Sequence, residues 1–160
     1  MRRTETYAIY AISGSLIWFL FGNLILAVSV PSFSQFLIDG LIKITPGKNY
    51  FVQYLILITC LFFLGAFTAL LQILLMAKGG RESSPFLMIS APFLLGAVIG
   101  GLLAFLGPQY VEALLVGMTY VASDVIVRLI VGIILGVVAI FATTALATYL
   151  RSRYGMRGPL

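Results

Sequence analysis

Apolar residues run in four long blocks along this chain, covering residues 7–30, 51–76, 86–106 and 125–150. None alternates with the period of two that a barrel strand requires. Wound as helices, the blocks would measure about 31 to 39 Å, enough to cross a hydrocarbon layer of about 30 Å with some tilt. The pattern predicts an all-α integral membrane protein with four transmembrane helices, in a single membrane domain over residues 1–160. The first block follows basic residues and contains Ala27, Val28 and Ser29, a tolerable cleavage site. It exceeds the roughly 7–15 apolar residues of a signal peptide, so it is read as a retained span.

The polar breaks between blocks are more informative than the blocks. After the first span, Pro31 suits the opening position of a helix, because its missing N–H would be unpaired there anyway. Phe33, Phe36, Leu37, Leu41 and Ile44 then fall on one helical face, and Thr45, Pro46 and Gly47 end the run. This face is expected to lie in the membrane interface or to dock on a neighbouring subunit. Pro108 is expected to open a similar segment that reaches about residue 122, with Tyr110, Leu114 and Met118 on one side. Shifting the chain by 77 positions aligns residues 13–41 with 90–118, and Ser13/Ser90, Leu26/Leu103, Ala27/Ala104, Pro31/Pro108, Leu37/Leu114 and Gly40/Gly117 coincide. The pattern in each half is span, proline, short amphipathic segment, second span. We therefore expect a tandem repeat of two helical hairpins, halves 7–77 and 85–150, with short interfacial helices on the external side.

Charge orients the spans. Arg2, Arg3, Lys78, Arg81, Arg151, Arg153 and Arg157 lie at the two ends of the chain and in its middle link, whereas Lys43, Lys48 and Arg128 lie at the other breaks. Cationic residues accumulate on the cytoplasmic side, so both termini are expected in the cytoplasm of a cell that carries this protein in its cell membrane. The eight tyrosines fall near predicted interfaces, while Trp18 lies deep in the first span.

Composition narrows the function classes. The chain is 61% hydrophobic and 9% charged, where a soluble domain carries about 25% charge. That excludes a soluble globular domain, a disordered tail and a nucleic-acid-binding module. The net charge of +5 then points to anionic lipid head groups, so membrane lipids are expected partners and nucleic acid is not. There is no histidine and one cysteine, Cys60. Histidine-ligated haem or chlorophyll, zincin chemistry, Ser-His-Asp nucleophiles and an intrachain disulfide are thereby excluded. No P-loop, Cys-x-x-Cys or spaced carboxylate cluster occurs, and no cofactor, metal or catalytic residue is expected.

Three polar residues stand out as ligand or ion candidates. Asp124 and Arg128, four apart, share a helical face and can pair, and an ionisable group at bilayer depth is a functional candidate. The structural alternative is that Asp124 caps the fourth span and Arg128 reaches outward to the interface. Asn23, well inside the first span, lines a path or bonds across the bundle. Gln53 and Gln72 read as interfacial, and Thr143 and Thr144 as bonded to their own helix. Gly96, Gly100, Gly101 and Ala104 in the third span, with Gly132 and Gly136 in the fourth, form small-xxx-small faces for close helix packing, either with each other or with another subunit. Pro85 opens the third span behind a Ser84 cap, and Pro92 frees the Met88 carbonyl and kinks the helix.

Scarce chemistry and abundant packing surface give the leading expectation: a non-catalytic structural or accessory subunit of a larger membrane-embedded complex, in contact with other membrane-protein subunits. The alternative is a small oligomeric transporter or channel that uses Asn23, Asp124 and Arg128.

Overall fold

The computed structural model describes residues 2–33, 50–81, 85–114 and 124–154. They form four helices: α1 (Arg2–Ser29), α2 (Tyr50–Arg81), α3 (Pro85–Leu114) and α4 (Val125–Arg153). Each holds a stretch long and apolar enough to cross a membrane: Thr4–Ser29, Val52–Lys78, Ile89–Glu112 and Val125–Arg153. Without water to receive them, backbone N–H and C=O groups must pair within the segment, and helices do this for every interior residue. The described residues form only helices, and the chain is a multi-pass membrane protein.

The helices stand in a ring, α1 against α2 and α4, and α3 against the same two; α1 and α3 also meet across the centre. Gly14 packs on Gly65 and Ala69 while Gly22 packs on Leu61, so α1 and α2 are antiparallel. About a third or less of each span is buried. The rest presents large side chains outward, among them Phe63, Phe67, Phe86, Leu94 and Ile126. That inverts the soluble arrangement, as expected when the solvent is hydrocarbon.

Three levels of packing fill the interior. Tyr10, Ala69, Ile73 and Ala147 close the end where α1 begins and α4 ends. Trp18, Ile25, Ala104, Ala139 and Ile140 fill the middle. Leu26, Val30, Phe33, Leu57, Leu61 and Val111 close the opposite end. Phe33, expected at the lipid interface or on a neighbour, is instead buried in this last level. The Phe33 N–H donates to the Val30 carbonyl at 2.8 Å.

Pro108 also departs from expectation. It does not open a separate segment: α3 runs through it to Leu114. An internal proline removes one hydrogen bond, here that to the Ala104 carbonyl. Packing holds the helix at this turn, since Pro108 is buried and a Cβ added to Gly107 would meet Leu26 Cδ2 at 2.9 Å. Most of both expected interfacial segments lies outside the described residues.

Candidate functional site

The close helix contacts are made by small residues. A Cβ added to Gly100 would fall on the Gly132 carbonyl and come 2.7 Å from Gly136 Cα. One added to Gly96 would lie 2.6 Å from the Gly136 carbonyl oxygen. Where a side chain would sit, each glycine points a Cα–H at a facing carbonyl, a weak attraction of about 0.5–1 kcal/mol. Gly96, Gly100 and Ala104 of α3 are thus brought together with Gly132 and Gly136 of α4 within one chain. Gly101 lies beside this seam, where an added Cβ would be 3.3 Å from Ile133 Cγ1. A second seam joins α1 to α2 at Gly14, Gly65 and Ala69, and beside it Ser15 Oγ donates to the Phe62 carbonyl at 3.0 Å.

Next to the second seam lies a buried polar layer. Thr68 and Gln72, one turn apart on α2, are 0% and 1% exposed. Gln72 Nε2 donates to Thr144 Oγ1 at 2.5 Å and lies 3.4 Å from the Ile140 carbonyl, so one amide reaches across the ring to α4. The threonine hydroxyls donate to their own helices: Thr68 to Leu64, Thr143 to Ala139 and Thr144 to Ile140. Their remaining lone pairs face the interior as acceptors. On α1, Ser13 and Trp18 are wholly buried. Tyr10 lies by Thr148 of the antiparallel α4, which sets Ser13, one turn further along α1, near the level of Thr144. Ser13 Oγ, Trp18 Nε1 and Gln72 Oε1 are buried without hydrogen-bond partners. Each such atom costs about 1–3 kcal/mol if it stays unpaired.

Gln72, expected at an interface, is instead buried within the bundle, where its amide bonds to Thr144. The signal for its role is the row Gly65, Thr68, Ala69 and Gln72, a small and polar stripe on an otherwise bulky helix. The layer offers neutral donors and acceptors. Among the described residues no three His, Cys, Asp or Glu side chains gather as a metal site, and Cys60 faces outward.

The candidates Asn23, Asp124 and Arg128 are not brought together as one site. Asn23 Nδ2 donates to the Phe19 carbonyl of its own helix at 2.6 Å, leaving Oδ1 buried without a partner. Asp124 caps α4, accepting from the Ile126 N–H at 2.9 Å and the Val127 N–H at 3.4 Å. Arg128 is 7% exposed and its Nε has no partner; no ion pair joins it to Asp124. Because the Asp124 carboxylate acts as a cap, Asp124→Asn should leave thermal stability in detergent nearly unchanged. Asp124→Ala should lower it by about 1 kcal/mol.

No family model, curated protein or solved structure matches the chain.

Proposed function

We propose that this chain is a non-catalytic structural subunit of a larger membrane-embedded assembly, set in the cell membrane with both termini in the cytoplasm. The observation that carries the reading is how its polar side chains are used. Asn23 and Asp124 bond to their own helices, and Gln72 ties α2 to α4. Trp18, Ile25 and Ile140 fill the centre. Such a bundle is a rigid body with an apolar outer surface, suited to contact with lipids and neighbouring subunits. We read the two hairpins as a tandem repeat with short external helices; in support, each hairpin closes on its own seam of small residues.

The test is purification from native membranes in mild detergent followed by a native gel. A structural subunit co-migrates with stoichiometric partners and tolerates Asp124→Asn. Migration alone, as one chain or a homo-oligomer, sinks the proposal. One observation favours a second reading, a small oligomeric transporter: Arg128 holds a charge within the bundle at 7% exposure, where ionisable groups are functional candidates. A transporter would move solute in liposomes, and substitution of Asn23, Asp124 or Arg128 would abolish the flux.

A further inference from the structure

We propose that the polar layer between α1, α2 and α4 is a binding site for a buried water molecule, held by Trp18, Gln72 and Ser13. Two helices supply three polar atoms that are buried and unpartnered, Ser13 Oγ and Trp18 Nε1 from α1 and Gln72 Oε1 from α2, and Gln72 is tied to Thr144 of α4. Two independent registers place them together. Between α1 and α4, Tyr10 stands by Thr148, and Trp18 shares the middle cluster with Ala139 and Ile140. Between α1 and α2, Gly14 stands on Gly65 and Ala69, which sets Ser13 level with the turn of α2 that carries Thr68, Ala69 and Gln72. Side chains on a helix lean towards its N-terminus, so the Trp18 indole is carried from its own turn towards that of Ser13.

The chemistry of the three atoms selects the ligand. Trp18 Nε1–H donates only, Gln72 Oε1 accepts only and Ser13 Oγ does either. A water molecule accepts from the indole and donates to the amide and the hydroxyl, making the three bonds typical of a buried water. A cation would meet the positive end of the indole N–H dipole, with no carboxylate to balance it. An anion would meet the Gln72 carbonyl oxygen. The ligand is therefore neutral, and the full burial of the surrounding side chains suits one of the size of water. Polar groups continue towards the end that carries both termini, where Tyr10 lies by Thr148 and Arg151. The opposite end is closed by the level of Leu26, Val30, Phe33 and Leu61. Exchange with bulk water is thus expected from the terminal end.

Trp18 is the only tryptophan in the chain, so tryptophan labelled with nitrogen-15 gives a single indole N–H resonance from the whole protein in detergent micelles. We expect a cross-relaxation peak between that proton and water. It should survive Ser13→Ala, in which two anchors remain, and disappear in Gln72→Leu, whose side chain takes the place of the water. A peak absent from the wild type, lost in Ser13→Ala (exchange relayed by the hydroxyl) or unchanged in Gln72→Leu overturns the proposal. The wild type and Ser13→Ala decide the matter even if Gln72→Leu fails to fold.

Discussion

Gly100→Leu should separate α3 from α4 and cost the protein about 3 kcal/mol or more, the upper range for forced overpacking. The Gly132 carbonyl occupies the direction a side chain would take. A carbonyl in a helix cannot rotate away without giving up its backbone bond, which in hydrocarbon has no replacement. The helices must therefore part, and the contacts at Gly96 and Gly136 part with them, because a rigid helix transmits the displacement along its length. Association in lipid rests on close packing rather than on expulsion of water, so little attraction remains once the gap opens. Gly101→Ala is the matched control. Its new methyl group would stand 3.3 Å from Ile133 Cγ1, the end of a flexible side chain, and a change of less than about 1 kcal/mol is expected. Thermal unfolding in detergent with size-exclusion profiles measures both. Equal melting of Gly100→Leu and wild type would mean that this seam is not a buried contact.

The sequence made the four spans legible because hydrocarbon imposes one rule on every interior residue, and composition alone reports compliance with it. The small faces of α3 and α4 were equally plain, since Gly96, Gly100, Gly132 and Gly136 repeat at the spacing that puts small residues on one face, but that they meet each other rather than another subunit is seen only in the structure. The seam between α1 and α2 was harder to see. Gly14, Gly22 and Gly65 are dispersed among aromatic residues, and only the pairing of α1 with α2 reveals that Gly14 and Gly65 meet. The role of Gln72 was hidden for a related reason: apolar length marks a span but not which of its faces is buried, and only the pairing of helices brings Gln72 to Thr144. Pro108 misled in the other direction. A proline after a long apolar block predicts the start of a new element, whereas burial keeps α3 intact through it. Asp124 could be read either way from sequence, as half of an ion pair or as a cap. The geometry of the first turn of α4 decides for the cap, because two N–H groups without helical partners point at its carboxylate.

Gly65→Leu should be as damaging as Gly100→Leu and should report itself through Trp18. The Gly14 carbonyl stands where a Cβ on Gly65 would go, and Trp18 Cβ would be 2.8 Å away. Neither can yield cheaply. The first is helical backbone, and the second is the root of a wholly buried ring in the same cluster as Ala139 and Ile140. A leucine here would push α1 off α2 and turn the indole out of its packing, and the loss expected is again about 3 kcal/mol. The displacement would also reach the polar layer. Gln72 stands two turns along α2 from Gly65, and its bond to Thr144 spans the ring, so moving α2 lengthens a contact that has no slack. Emission from the single tryptophan separates this from general unfolding: a change that precedes the loss of helical circular dichroism on heating marks opening of the α1–α2 seam first. Gly65→Ala should show the same change in weaker form, since one methyl group still meets the Gly14 carbonyl. If Gly65→Leu keeps both the emission and the melting temperature of the wild type, the close approach of α1 to α2 is wrong, and with it the register that gathers Ser13, Trp18 and Gln72 into one layer.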